Sequence, residues 1–217
     1  MPAALRYPLV ISALTIDVCI AFAIACIAAL PADNALDQVS ALAIVVVGVA
    51  GWTLRVWYRS ARRVPLGTAA SVRRVRQQHR LTSRSWLEID GKTWLPVFFD
   101  PALVTLPSPV TAEVSTTTIG WNGHVFMVSG RALSAEPPGR LIDNPLAPDA
   151  DAAERGAVAA RPLRRLLLDA QSAVVGPFVG LFWVYLVGGG IPAFVGATCV
   201  GAAVAIWASA IRGSDPS

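Results

Sequence analysis

Histidine, cysteine and lysine are nearly missing from this 217-residue chain, and each shortage removes a class of chemistry. The two histidines, His79 and His124, stand far apart with no second metal-ligating residue at useful spacing, so no zinc site is expected. The three cysteines, Cys19, Cys26 and Cys199, sit in apolar surroundings where a thiol behaves as a small hydrophobe, which excludes a disulfide framework. There is no Gly-x-Ser-x-Gly, no His-Glu-x-x-His, no phosphate-cradling glycine loop and no Gly-x-Gly-x-x-Gly. The expectation is a chain without cofactor or metal, and not an enzyme. Charge is also thin, at 15% of residues, against about a quarter in soluble domains.

What the chain has instead is long apolar runs, at residues 8–30, 40–58, 174–190 and 191–211. Each approaches the ~20 residues that a helix needs to cross roughly 30 Å of hydrocarbon. Lipid offers no partner to a free amide, so such runs cross as helices. The first run is too long for the core of a cleaved signal peptide and reads as a span.

The cations assign the sides. Lys92 is the single lysine among 18 basic residues, and the rest are arginine. Arg59, Arg62, Arg63, Arg73, Arg74, Arg76 and Arg80 follow the second run, and Arg161, Arg164 and Arg165 precede the third. The loop at residues 31–38 holds Asp33 and Asp37 and no cation. By the positive-inside rule both termini and the middle of the chain are expected on the cytoplasmic side of the plasma membrane.

The expected architecture is therefore a membrane α-helical protein of four transmembrane helices, arranged as two hairpins with a small cytoplasmic β-rich domain between helices two and three. The divisions are 1–59, first hairpin; 60–84, basic juxtamembrane linker; 85–133, β-rich domain; 134–171, Pro-rich connector and amphipathic helix; and 172–217, second hairpin. In the β region, Asp90-Gly91 and Asn122-Gly123 each interrupt apolar runs and signal hairpins. Five or six strands are expected, including one at 102–106, curved into a sheet or partly closed barrel. Prolines 96, 101, 107 and 109 mark edges or corners. About 50 residues make a marginal core, so this module should lean on the membrane, the flanking helices or a partner.

The linker at 60–80 reads as a basic stretch with room for a short helix along the membrane. Arg62, Arg63, Arg73, Arg74, Arg76, Arg164 and Arg165 are the candidate contacts to anionic phospholipid, each cation near the surface contributing about 1 kcal/mol; the plain alternative is a topology signal and solvated linker. Nucleic acid is not expected as a partner, because His79 is the only ring among these charges.

Within the spans, Ala193, Ala197, Gly201, Ala205 and Ser209 repeat at every fourth position, as do Gly176 and Gly180. Such ridges let two backbones approach closely, either among this chain's own helices or against another subunit. Asp17 is an acid inside the first span, and Arg55 near the inner end of the second is its expected intramembrane partner.

The stretch Ser85-Trp86-Leu87-Glu88-Ile89 and then Trp94-Leu95-Pro96-Val97-Phe98-Phe99-Asp100-Pro101-Ala102-Leu103, set between two hairpins and flanked by arginines, resembles small multi-pass membrane proteins of actinobacteria. The layout is similar to the lipid uptake coordinator B subunits that accompany Mce (mammalian cell entry) lipid transporters. That resemblance implies a non-catalytic accessory or regulatory subunit docked on the permease of a lipid importer, and it transfers no site residue. Two other readings stand beside it: a membrane enzyme acting on lipid or peptide at the inner leaflet, and a small oligomeric transporter.

Overall fold

A computed structural model describes residues 3–61, 67–147 and 149–217, with the side chains of residues 32–34, 60 and 61 outside the description. Among the described residues, four helical segments are long and apolar enough to cross a membrane: Ala3–Ala29, Ala35–Arg59, Pro162–Val187 and Gly190–Ile211. Helix α1 covers Ala3–Ala29 and α2 covers Ala32–Ala61. The hairpin between them is tighter than the expected loop at 31–38, because Pro31 lies at the start of α2, where the missing N–H leaves no bond unmade.

A 12-residue strand, β1, runs over Thr68–His79, followed by β2 (Thr82–Ile89) and β3 (Thr93–Val97). After them come β4 (Val110–Val114), β5 (Thr118–Trp121), β6 (His124–Met127) and β7 (Arg140–Asp143). All pairings are antiparallel in the order β3-β2-β1-β4-β5-β6, and β7 adds to the far half of β1. The sheet curls until its edges meet: Val97 bridges Val128, and Phe98 N–H donates to the Met127 carbonyl. The result is an antiparallel half-barrel.

Both expected hairpins form. Asp90 and Gly91 take φ of 49° and 67°, and Asn122 and Gly123 take 46° and 78°, the positive values that these two-residue turns demand. Two expectations fail. The basic linker is not a surface helix, because alternation places Val72 in the barrel core and Val75 on the opposite face, and both are fully buried only in a strand. Residues 102–106 are not a strand; Asp100 accepts a hydrogen bond from the Ala102 amide and caps a 3₁₀ turn at Pro101–Leu103. The connector helix stops before Pro162, as a proline there requires, and Pro162 opens the next helix, α4 (Pro162–Asp169), at a position where proline is favoured. Before it lies α3 (Ala152–Ala159), and after it a 3₁₀ stretch leads to α5 (Gly176–Val187) and α6 (Gly190–Ile211).

The barrel interior is built from Val72, Leu87, Leu95, Val97, Leu103, Leu106, Ile119 and Phe126. The other face of β1 and β2 is covered too, by Val75, Trp86, Trp94 and Leu141. The module does lean on the flanking helices: Ala4 and Leu5 at the start of α1 pack on Phe98 and Met127 of the barrel rim. Burying a Phe or Leu side chain contributes about 1.5–3 kcal/mol, so this small contact matters to a marginal core.

Among the described residues the most extensive helix packing runs α2 to α1, α1 to α6 and α6 to α5. Ser12 of α1, Thr53 of α2 and Trp207 of α6 share hydrogen bonds of 3.0–3.3 Å, and Thr15 donates to the Ala203 carbonyl.

Candidate functional site

The chemistry of this chain concentrates in a polar seam where the half-barrel meets the helix ends. Two buried carboxylates organise it. Asp169, at the end of α4, has no exposed surface. It accepts from Tyr7 Oη at 2.7 Å, Ser209 Oγ at 2.6 Å and Ser214 Oγ at 3.1 Å, so α1, α4, α6 and the segment after α6 converge on one side chain. One turn earlier Arg165 lies over the Tyr7 ring at 4.1 Å.

Asp215 is the second. Gly213 adopts φ of 84°, a value glycine accepts freely, and turns the chain back along β2. The Asp215 amide then donates to the Ser83 carbonyl. Its carboxylate accepts from Arg74 Nη2 at 2.7 Å and from Ser85 Oγ, while Arg74 also reaches Asn144 Oδ1 at 2.6 Å and Ser217 Oγ at 2.8 Å. Asn144 passes the connection on, donating to the Leu103 and Leu106 carbonyls at 2.8 Å. Burial pushes the Asp215 carboxyl up, and the Arg74 guanidinium with the Ser85 and Ser217 hydrogen bonds outweighs it, holding the group below the usual carboxylate range.

Beside this pair a cavity of about 400 Å³ brings Arg74, Arg76, Arg155 and Arg164 together with Asp143, Asp151 and Glu154. The signs nearly balance, so it presents no concentrated field. Burial lowers the Arg76 guanidinium; Asp215 opposes the shift, and Arg74, Arg140 and Arg164 add to it.

The residues singled out from sequence fall in very different places. Arg62 and Arg63 lie outside the described residues. Arg73 is paired with Glu88 and Asp143 on the outer face of the sheet, 6.0 Å from the Trp94 ring. Arg74 and Arg165 are buried, at 3% and 5% exposure, so the guanidinium of neither reaches a headgroup in this conformation. Arg76 is half-buried, and Arg164 is exposed at the cavity rim.

The Asp17–Arg55 pair does not form. Ser12 and Thr53 are level in the antiparallel hairpin, which puts Asp17 about 7 Å to one side of that level and Arg55 about 3 Å to the other at helical rise. Arg55 instead lies over Trp52 at 5.7 Å. Asp17 is exposed at the middle of α1, and among the described residues no hydrogen bond or ion pair reaches it.

Glycines of both small-residue ridges lie in the α5–α6 contact, although the two ridges do not meet each other. A Cβ at Gly176 would sit 2.7 Å from the Thr198 carbonyl oxygen, at Gly180 2.8 Å from the Phe194 carbonyl oxygen, and at Gly201 2.8 Å from Val179 Cβ. Their close approach is between α5 and α6 of this chain. Ala193 and Ala197 line an apolar groove of about 150 Å³ toward the hairpin ends, with Phe22, Leu42 and Trp183, and Ala205 is half-buried in α6.

Asp169, Asp215 and Ser85 went unnoticed in the sequence. The Arg165–Asp169 spacing of four within a leucine run was the available signal for the first; Asp215 gives none, since its partner is 141 positions away. As chemistry, the seam is a clamp: Ser85 and Asp215 are hydrogen-bonded but sealed from solvent, and among the described residues no three His, Cys, Asp or Glu side chains gather as a metal set. No family model, curated protein or solved structure matches the chain.

Proposed function

We propose that this chain is a non-catalytic accessory subunit of a plasma-membrane complex, with the half-barrel on the cytoplasmic side and a partner helix seated against α1 at Asp17. The observation that carries the proposal is Asp17 itself: a carboxylate at the centre of a 27-residue helix, exposed, with no partner among the described residues of its own chain. A charge at the bilayer centre costs at least about 2.5–3.5 kcal/mol, and a hydrogen-bond donor or cation from a second chain removes that cost. The thin packing of α2 supports the same reading: among its described residues only Ala35, Val49 and Thr53 are buried within this chain, which leaves apolar surface for another helix. The seam adds a reason for the half-barrel, since clamping it to three helix ends fixes it relative to whatever those helices dock on. A lipid-importer permease, as the layout resemblance implies, is one such partner.

The test is affinity purification from native membranes in mild detergent, comparing the natural chain with Asp17→Leu at matched abundance. The expected result is a stoichiometric membrane protein recovered with the natural chain and lost with the variant. Recovery of the same partner with both, or of none with either, overturns the reading.

A further inference from the structure

A second cavity, of about 450 Å³, lies between β2 and the sheet-side end of α6, and Arg84, Arg131 and Arg212 all line it. No aspartate or glutamate shares the lining among the described residues. This is the reverse of the cavity beside Arg74, where three acids offset the arginines. Arg84 Nε and Nη2 donate to the Arg212 carbonyl at 3.2 and 2.6 Å, and its guanidinium lies 5.7 Å from the Trp86 ring. Gly130 is pressed against the same group, its missing Cβ position being 3.0 Å from Pro96 and 3.9 Å from Arg84 Nη2, so Arg131 leaves the backbone beside Arg84.

Among the described residues, none of these three arginines forms an ion pair; the cations that do are Arg73, Arg74 and Arg155. Burial pushes Arg84 down to about 10, with the Arg212 charge adding to the effect, so the Arg84 guanidinium stays charged at neutral pH and is repelled by Arg212. An anion in the cavity relieves that repulsion. Ser209 and Arg212, which form one wall, belong to the last turn of a membrane-crossing helix and the residue after it. The cavity therefore lies where hydrocarbon gives way to headgroups.

We infer that this cavity binds the phosphate of an anionic phospholipid, with Arg131 and Arg212 contacting the headgroup and Arg84 held between them by the Arg212 carbonyl and Trp86. The three residues lie far apart in the sequence, and the inference does not rest on the accessory-subunit reading.

The test uses the full chain purified in zwitterionic detergent and titrated with dioleoyl phosphatidylglycerol, with bound lipid counted by native mass spectrometry. Each cation near a membrane surface contributes about fivefold in affinity, so R131Q/R212Q is expected to weaken binding by about 25-fold. K92Q/R140Q, which removes the same charge from exposed positions elsewhere, should bind as the natural chain does. R131K/R212K keeps the charge and should bind within about threefold, which separates lost charge from lost fold. Equal binding of phosphatidylcholine, unchanged affinity in R131Q/R212Q, or loss in R131K/R212K as large as in the glutamine variant overturns the inference. Inorganic phosphate that displaces the lipid at equal concentration overturns the lipid assignment in favour of a free-anion site.

Discussion

Asp215→Ala is the sharpest probe of the seam. The Arg74 side chain is 4% exposed and that of Asp215 is not exposed at all. Removing the carboxylate therefore leaves a guanidinium that water cannot readily solvate. Breaking a buried pair by deleting one partner costs about 3–5 kcal/mol. Arg74 keeps Asn144 and Ser217 as neutral acceptors, which places the expected loss near the lower end, about 3 kcal/mol. For a chain of this length each kcal/mol shifts the melting temperature by about 2–4 °C, so a drop of roughly 6–12 °C is expected in mild detergent, read by near-UV circular dichroism. The companion variant R74M/D215L removes both charges. If the cost comes from an orphaned charge, the pair should recover more than half of the loss, because apolar replacement of a buried pair is often close to neutral. A drop below about 2 °C for Asp215→Ala, or a double variant no better than the sum of the singles, refutes the reasoning.

Acid should open the same seam: the Asp215 carboxyl is held below its ordinary range, so its contribution is complete above the unfolded pKa of about 4 and lost as pH falls through the lower folded value. Asp215→Asn should flatten the acid limb of a melting-temperature profile taken from pH 6 to 2. Asp169→Ala strips one acceptor from three hydroxyl donors; a loss of about 2–4 kcal/mol is expected, with protease cleavage appearing near Ser214 before the barrel opens. Gly180→Ala drives a methyl group to 2.8 Å from a backbone oxygen in α6 and should cost about 1–3 kcal/mol, whereas Gly51→Ala, which meets nothing within 4 Å, should be tolerated. Equal effects of these two substitutions on thermal stability would refute the account of the α5–α6 contact.

The two kinds of result divide by sequence distance. The spans were legible because a run of some twenty apolar residues has one physical solution in lipid, and the hairpins at Asp90-Gly91 and Asn122-Gly123 because positive φ is a local demand. Strand β1 was not, since Arg73, Arg74 and Arg76 hide its alternation. The signal that residues 72 and 75 are both buried, on opposite faces, comes only from the partners β2, β4 and β7. The Asp17–Arg55 pair was a sound inference from helical rise alone, and it fails because the register of the hairpin, set by Ser12 and Thr53, separates the two by about 10 Å along the axis.

The seam also explains why a half-barrel with so small an interior can remain folded. Its rim at Phe98 and Met127 rests on α1, and its β1–β2 hairpin is held by Asp215, which follows α6. Through Asn144 the same network reaches the turn that closes the barrel at Leu103 and Leu106. Each contact joins residues that are distant in sequence, so the module should lose cooperativity when separated from the spans. A polypeptide of residues 67–160 alone is expected to expose Phe98 and Arg74 and to lack near-UV dichroism; fixed tertiary signals from that fragment would show that the barrel does not depend on the helices.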